Sequence, residues 1–469
     1  MSANESTTRI ETDSLGEIEV RSDVYYGAQA ERARLNFPIS GVQMPRRFLA
    51  AMAMIKSEAA KANAALGIVE QGIADTIVKA ADEVHDGLKA GERDRDFPVD
   101  VFQTGSGTSS NMNTNEVIAN RAIEMLGGEM GSKSPVHPND HVNASQSSND
   151  TVPTAMHVAS YGAAEEVLRP GLERLAKALR AKAEELDDVV KIGRTHLQDA
   201  VPVRLGQEFS GYAQQIENGL ARLDACLPRV AELALGGTAV GTGLNAPDGF
   251  ADQVIAGLAE RTGYPFVGAP SRFEALAAKD AVVELSGVLK TIAVSLTKVA
   301  NDVRWLASGP RCGLGEIAIP SLQPGSSIMP GKVNPVIPEA VLMVGAQVVG
   351  NDAAIAWGGA AGNFELNVMM PMLAHNILQS IEIVGNASAV FAERCVEGIE
   401  ARPERASEMV EKSLAMVTVL APRIGYDLAA SIAKESVETG KTVRELCVER
   451  EVLPLDELEE LLDPRSQTE

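Results

Sequence analysis

The feature that most restricts the fold is an apolar repeat between Lys279 and Leu306. Within it, apolar residues recur at alternating intervals of three and four, at Val282, Leu285, Leu289, Ile292, Leu296, Val299, Val303 and Leu306. This spacing is typical of a helix packed in a left-handed bundle. Further apolar residues lie off that seam, at Val288, Ala293, Val294 and Ala300. We therefore expect a helix roughly 40 Å long that is buried on more than one side.

Similar helical patterns recur in four other alanine-rich stretches that contain little proline. They lie at 154–187, 206–231, 338–357 and 364–398, and a kink is expected at Pro170 in the first. With the seam helix, these stretches predict five long helices in one central domain.

The flanking regions have different patterns. Residues 46–90 indicate helices, and a short hairpin is expected to turn at Ser14-Leu15-Gly16-Glu17. After Arg402-Pro403 the helical segments become shorter and the chain ends in an acidic tail. The sequence therefore predicts an all-α, mainly helical fold with an N-terminal domain at 1–145, a central long-helix bundle at 146–402 and a small C-terminal helical domain at 403–469.

Charge and composition exclude several classes of partner. Asp and Glu number 64 against 42 Lys and Arg, giving a net charge of −22 over 469 residues. This balance argues against nucleic acid or an anionic membrane as partner. The acidic excess fits a salt-adapted surface or simple solubility, and both interpretations stay open. The N-terminus has no basic region followed by an apolar run, so we expect a cytoplasmic protein. The four cysteines are far apart, as reduced structural thiols would be.

Residues 325–335, GSSIMPGKVNP, look at first like a phosphate-binding loop. A P-loop requires four residues between its glycines and a hydroxyl after its lysine. Here five residues separate Gly325 from Gly331, and Val333 follows the lysine. The nucleotide interpretation therefore fails, and the loop is expected to hold a different anion.

Two weaker motifs also fail. His137 and His141 have the spacing of metal ligands on a helix, but Pro138 makes a regular helix there improbable. We therefore expect no metal site. Residues 241–246, GTGLNA, fit a dinucleotide pattern, yet Pro247 follows at once and no βαβ unit surrounds them. We interpret them as a glycine-rich loop between helices.

Four uncharged polar clusters stand out between the helical stretches, at 104–116, 137–150, 193–202 and 325–335. Turn and capping chemistry would explain any one of them. Four such clusters, rich in hydrogen-bond donors and poor in charge, favour a site that encloses a small anion.

These clusters resemble those of class II fumarase, the iron-independent fumarate hydratase family of the fumarase/aspartase superfamily. The resemblance covers essentially the whole chain and includes TGSGTSSNMNTNEV, HPNDHVN, SQSSNDTVPTA, GRTHLQDAVP, GGTAVGTGLNAP and GSSIMPGKVNP. Aspartate ammonia-lyase shares the last motif, so that motif identifies only the superfamily. Ser106 and His196 favour fumarase, because aspartases tend to have GAGT and GRTQLQDA. His141 is a departure, since many relatives have an acidic residue there.

The resemblance implies an assembly and a reaction. The assembly is a homotetramer with a twenty-helix core, in which three subunits contribute loops to each active site. The reaction is the reversible hydration of fumarate to malate by general acid and base chemistry, without a cofactor. The open alternatives are an aspartate ammonia-lyase and a catalytically silent scaffold of the same fold.

By the same resemblance, ten residues bind the dicarboxylate substrate: Ser106, Gly107, Thr108, Ser147, Ser148, Asn149, Thr195, Ser327, Lys332 and Asn334. Lys332 and Asn334 would hold one carboxylate. Ser106, Thr108 and Asn149, with His196, would hold the hydroxyl group or water.

The resemblance also assigns the chemistry. Ser326 is the implied base that removes the carbon-bound proton, activated by backbone donors of its loop and by Lys332. His196, polarised by Glu339, either transfers a proton on the oxygen side or only orients water, and both roles stay open. A second dicarboxylate site is implied at His137, Pro138, Asn139 and Asp140.

Overall fold

The computed structural model describes residues 8–469, and these are mainly helical. Residues 1–7, the start of the predicted N-terminal domain, lie outside the described residues. Strand β1 (Thr8–Asp13) pairs antiparallel with β2 (Gly16–Arg21), from Thr8 opposite Arg21 to Asp13 opposite Gly16. Gly16 has a φ of +109°, which suits glycine at the close of the turn. The predicted hairpin is therefore present.

Four helices follow the hairpin: α1 (Ala28–Asn36), α2 (Arg46–Ala65), α3 (Gln71–Ala90) and α4 (Thr108–Met125). Helices α2 and α3 confirm the helical prediction for 46–90. Most of α2 is buried, including the polar side chains of Lys56 and Asn63. Buried polar groups need hydrogen-bond partners, and those of α2 lie in the loop before α5.

The predicted long helices are all present. Helix α5 (Ser148–Ala163) continues through a π turn (Ala164–Leu168) into α6 (Arg169–Glu185). The π turn lies just before Pro170, whose missing N–H interrupts the α-helical hydrogen-bond ladder. The other long helices are α7 (Leu205–Val230), α10 (Asp280–Leu306), α11 (Val336–Gly359) and α12 (Met370–Arg394).

All eight seam residues of α10 are buried, as the repeat predicts. Two of the four residues off the seam, Ala293 and Ala300, are also buried. Val288 is half-buried. Val294, however, is 57% exposed. Burial beyond the seam is therefore present at Ala293 and Ala300, whereas Val294 is exposed in the single chain because no segment of the described chain covers it.

Glycines allow the long helices to approach closely. A Cβ atom on Gly171 of α6 would lie 2.2 Å from the carbonyl oxygen of Gly385 in α12. Between α10 and α11, Ser286 Oγ donates a hydrogen bond of 2.8 Å to Asp352 Oδ1, and Lys290 Nζ lies 2.6 Å from Asp352 Oδ2. Glycines and the polar contacts of Asp352, including the buried hydrogen bond from Ser286, thus fix the packing of these helices.

Short elements connect the helices. Strands β3 (Val190–Thr195) and β4 (Gln198–Arg204) form an antiparallel hairpin that the sequence did not predict. The remaining strands have two residues each: β5 (Glu232–Leu233) is parallel to β6 (Val267–Gly268), and β7 (Ile317–Ala318) is antiparallel to β8 (Glu400–Ala401). Two further helices are α8 (Phe250–Thr262) and α9 (Arg272–Ala277).

The C-terminal region contains short helices, as the sequence predicts: α13 (Pro403–Lys412), α14 (Ala421–Ile424), α15 (Tyr426–Thr439), α16 (Val443–Glu449) and α17 (Leu455–Leu461). They surround an apolar cluster that includes Leu420, Ile432, Leu446 and Leu458. Ile192 of β3 is part of this cluster, so the unpredicted hairpin is anchored in the C-terminal core.

The described residues divide into two compact units. The first contains the chain up to Arg169, with Ala221–Thr291 and Gln347–Val384. The second contains Pro170–Leu220, Ile292–Ala346 and Gly385–Glu469. Within the described residues, one helix, α11, is long and apolar enough to cross a membrane by length and composition alone, which is weak evidence of a membrane span.

Candidate active site

In the first unit, three of the predicted substrate-binding residues lie at the start of α4. Gly107 precedes the helix with a φ of +73°, and a Cβ atom there would lie 2.8 Å from Val152 of α5. Glycine therefore lets the start of α4 approach α5. The hydroxyl groups of Ser106 and Thr108 are 2.8 Å apart and share a hydrogen bond. Two hydroxyl groups are thus presented together beside the free N–H groups of a helix terminus.

The start of α5 holds the next three predicted residues. Ser147 is the N-cap, and its Oγ accepts a hydrogen bond of 3.1 Å from the Asn149 N–H. Asp150 completes a capping box, since its Oδ1 accepts 3.0 Å from the Ser147 N–H. Ser148 is buried, and its Oγ accepts from Asn111 Nδ2 at 3.3 Å. This last bond connects the first turns of α4 and α5, so two helix N-termini with their positive dipole ends lie side by side.

The predicted second dicarboxylate site is a π turn (Pro138–Val142) in the first unit. His137 Nδ1 accepts hydrogen bonds from the N–H groups of Asn139 and Asp140, at 3.2 and 3.1 Å. The His137 N–H in turn donates to His141 Nδ1 at 2.9 Å. One nitrogen of each imidazole is therefore occupied by the backbone. Among residues 8–469, no three His, Cys, Asp or Glu side chains converge as metal ligands would.

In the second unit, His196 lies at the tip of the hairpin formed by β3 and β4. His196 and Leu197 both have positive φ values, +57° and +59°. These values fit a two-residue hairpin turn, but they are unfavourable for residues that are not glycine. Thr195 and His196 are exposed at this turn. Strain of this kind persists where surrounding structure imposes it, and it often marks functional sites.

Buried ion pairs hold the base of that hairpin. Arg194 donates to both carboxylate oxygens of Glu316, at 2.8 and 3.1 Å, and the Glu316 side chain is fully buried. Lys191 Nζ lies 2.9 Å from Glu208 Oε1. A bidentate pair fixes orientation as well as distance, so the exposed imidazole of His196 stands on a rigid support.

The loop at 325–335, also in the second unit, is closed at its base by two hydrogen bonds. The Gly325 N–H donates a hydrogen bond of 2.7 Å to the Lys332 carbonyl, and Asn334 Nδ2 donates one of 2.8 Å to the Gly325 carbonyl. Inside this closed loop, Ser326 Oγ accepts from the N–H groups of Ile328 and Met329, at 3.2 and 3.0 Å. Ser327 and Lys332 are exposed. The loop therefore presents a hydroxyl with two backbone donors, next to an exposed ammonium group.

Glu339 lies in the first turn of α11. Within residues 8–469, neither a hydrogen bond nor an ion pair joins Glu339 to His196 in the single chain, although the family resemblance implies their pairing. Their pairing stays a prediction.

Sequence reasoning missed several buried polar residues beneath these loops. The most notable is Lys56 in α2, whose Nζ donates to Asn143 and Gln146. The sequence feature that could have indicated Lys56 is a lysine within an alanine-rich helical stretch, AMAMIKSEAAKAN. Arg194 and Glu316 were also missed, because they lie 122 positions apart in sequence and no local pattern relates them.

The chain matches two protein families. Residues 16–350 match the family described as Lyase, and residues 416–469 match the family described as Fumarase C C-terminus. Among similar proteins, the human "Fumarate hydratase, mitochondrial" is 54% identical over 465 residues, covering 99% of this chain and 90% of that protein. "Fumarate hydratase class II" of Caulobacter vibrioides is 54% identical over 459 residues, covering 98% of each.

Solved structures have the same fold. A class II fumarase from Schistosoma mansoni aligns with a TM-score of 0.93 and 41% identity, covering 98% of this chain and 99% of that one. A Brucella melitensis protein described as "fumarate lyase:delta crystallin", bound to cobalt, aligns with a TM-score of 0.93 and 45% identity, covering 99% and 100%. These comparisons confirm the mainly helical fold.

The predicted cytoplasmic location is wrong. The relatives from human and zebrafish are named as mitochondrial proteins, whereas the name of the Caulobacter relative gives no compartment. The prediction rested on the lack of a basic region followed by an apolar run. That pattern defines a secretory signal and does not discriminate between the other compartments.

Proposed function

Because the chain belongs to the class II fumarase family of lyases, we propose that it catalyses the reversible hydration of fumarate to (S)-malate, a step of the tricarboxylic acid cycle. In the dehydration direction, a proton leaves the carbon next to a carboxylate, and hydroxide leaves the adjacent carbon. The first step produces an aci-carboxylate with an additional negative charge. Such a charge needs several preorganised donors, each of which contributes about 2.7 to 4 kcal/mol.

The observation that carries this proposal is the environment of Ser326 Oγ. A serine hydroxyl is a base only as an alkoxide, and an alkoxide needs donors directed at it. The N–H groups of Ile328 and Met329 provide two such donors, and Lys332 lies in the same loop. Ser326 is therefore proposed as the base that removes the carbon-bound proton.

The remaining roles follow the family resemblance. Lys332 and Asn334, with Thr195 and Ser327, are proposed to hold one carboxylate with the residues at the start of α5. The paired hydroxyl groups of Ser106 and Thr108 are well suited to holding the departing hydroxide or the attacking water. His196 is proposed to act on the oxygen side, and its exposure at a rigid turn supports access to substrate. Residues 137–140 are proposed as a second dicarboxylate site.

We further propose a homotetramer in which helices of four chains form a common core. Helix α11 supports this, because only 28% of its most apolar stretch is buried within one chain. Its large exposed side chains include Met343, Val349 and Trp357, and Val294 of α10 is also exposed. Apolar surface of this extent is expected to be covered by other copies. In this assembly, Glu339 would reach His196 of a different chain.

The test is a direct comparison of malate and aspartate as substrates. Formation of fumarate from either is followed by its absorbance in the near ultraviolet. We expect rapid conversion of malate, essentially none of aspartate, and no loss of activity after treatment with a chelator. A clear preference for aspartate would identify an ammonia-lyase, and inactivity with both in an intact tetramer would favour a scaffold role.

A further inference from the structure

A buried lysine lies beneath the loop that leads into the start of α5, where Ser147, Ser148 and Asn149 lie. The side chain of Lys56 in α2 is 0% exposed. Its Nζ donates to Asn143 Oδ1 and to Gln146 Oε1, both at 2.9 Å. Both acceptors are neutral amides, and burying an ammonium group against neutral partners is costly. The proposed mechanism does not use Lys56, so this cost needs another explanation.

The first acceptor joins Lys56 to the candidate active site. Asn143 Oδ1 also accepts from Asn111 Nδ2 and Asn115 Nδ2, each at 3.1 Å. Asn111 Nδ2 in addition donates to Ser148 Oγ at 3.3 Å. A continuous hydrogen-bonded path therefore runs from the buried ammonium through two amide side chains to a hydroxyl at the start of α5.

A second residue of α2 holds the same loop. Asn63 lies two helical turns after Lys56, on the same face. Its Nδ2 donates a hydrogen bond of 3.0 Å to the Ala144 carbonyl, and its Oδ1 accepts one of 2.7 Å from Ser145 Oγ. Ser145 has a φ of +65°, an unfavourable value for serine. The polar face of α2 thus fixes the loop in a backbone conformation that it would not hold alone.

Asp150, in the first turn of α5, provides a buried charge opposite in sign to that of Lys56. It is fully buried, and its Oδ2 accepts from the N–H groups of Gly236 and Thr238, at 3.0 and 2.9 Å. Burial lowers the pKa of Lys56 to about 7, while the charge of Asp150 opposes that shift. Burial also raises the pKa of Asp150 against its backbone hydrogen bonds and the charge of Lys56. Each charge therefore stabilises the other in its buried position.

We propose that Lys56 is a positioning residue for substrate binding. Through Asn143 and Asn111, it holds Ser148 and the start of α5 in the geometry that receives a substrate carboxylate. This inference rests on the proposed function, because that function assigns Ser148 to the dicarboxylate. It goes beyond the family motifs, since Lys56 lies outside all of them in sequence.

The test is a double-mutant cycle with Lys56→Met and Ser148→Ala. Methionine keeps most of the length of lysine but has neither charge nor donor. If Lys56 acts through Ser148, Lys56→Met raises the KM for malate by about tenfold with a smaller change in kcat, and the double variant is no worse than Ser148→Ala. Effects that multiply in the double variant would show that Lys56 acts independently and would overturn the proposal.

Two further variants separate positioning from folding. Lys61→Met makes the same change on the same helix, at a lysine paired with Glu58, and should leave KM within about twofold of wild type. Asn143→Ala removes the relay but keeps the buried lysine, and it should raise KM as Lys56→Met does. An unchanged KM in Asn143→Ala would overturn the proposal even if Lys56→Met failed to fold. A wild-type protein inactive with malate would instead contradict the proposed function.

Discussion

Ser326 is the residue on which the proposed chemistry depends. Its Oγ already accepts two backbone hydrogen bonds, so the donors that would stabilise an alkoxide are in place without substrate. Ser326→Ala should lower kcat for malate by about 10²–10⁴-fold and leave dicarboxylate affinity and tetramer formation nearly unchanged. Steady-state kinetics and calorimetric binding of a non-reacting dicarboxylate check both parts. Near-normal turnover would assign the base to another residue.

Lys332 should respond differently, because a charge-assisted contact with carboxylate exists before and during the reaction. We expect Lys332→Ala to weaken dicarboxylate binding by about ten- to a hundredfold and to lower kcat as well. Lys434→Ala is the matched control, since that lysine lies on the exposed surface of α15. A loss of kcat without any loss of affinity would argue against a carboxylate contact.

For individual residues, the predictions that the sequence allowed came almost entirely from the family motifs. The family motifs name Ser326, Lys332 and His196, but their roles came from resemblance, not from spacing. The two consecutive positive φ values at His196 and Leu197 could not be predicted, because leucine is not a residue that favours such a turn. The contact between Lys56 and Asn143 spans 87 residues, a separation that no local pattern reveals.

At the scale of elements, the helices were predictable and the second hairpin was not. Helices such as α10 bury a continuous row of apolar residues. Apolar residues spaced three and four apart in the sequence indicate such a row. In β3 and β4, polar residues at the turn interrupt the alternation of apolar and polar residues that would predict strands. This hairpin is stabilised instead by distant partners, such as Glu316 and the C-terminal core around Ile192.

A buried carboxylate joins two elements near the candidate site. Glu116 of α4 accepts hydrogen bonds from the N–H groups of Gly27, Gln29 and Ala30 at the start of α1. Burial raises the pKa of Glu116 to about 7, and the nearby Glu11 adds to that shift. The unfolded chain therefore loses this proton at a lower pH than the folded chain. Stability should fall as pH rises from about 4.5 to about 7.

Glu116→Gln tests this linkage. The amide cannot accept through its nitrogen, so the variant should be less stable than wild type at about pH 5, by about 1–3 kcal/mol. The variant lacks the ionisation cost, so its stability relative to wild type should increase by about 2–3 kcal/mol between about pH 5 and about pH 8, which removes the deficit or reverses its sign. Denaturant unfolding at fixed protein concentration measures both values. If the stability difference between wild type and the variant instead increases with pH, the prediction is contradicted. The three N–H donors would then favour the ionised carboxylate of Glu116 in the folded protein.

For the whole molecule, the apolar repeat of α10 predicts that this helix packs against others. It does not predict how many chains form the assembly. The three-domain division at 145 and 402 also stays a proposal. The exposed apolar side chains of α11 support the proposed association of several chains. In the proposed assembly, Ser326 and His196 of one site belong to different chains. The proposed hydratase activity therefore depends on a site that is shared between copies of the chain.

The most direct test mixes two variants, Ser326→Ala and His196→Asn, each inactive alone. Differently tagged copies are co-expressed, and tetramers that carry both tags are purified and assayed with malate. When the two residues come from different chains, random mixing leaves about a quarter of the sites with both intact, so we predict about a quarter of wild-type activity. Verified mixed tetramers with no activity above either variant alone would contradict the shared site.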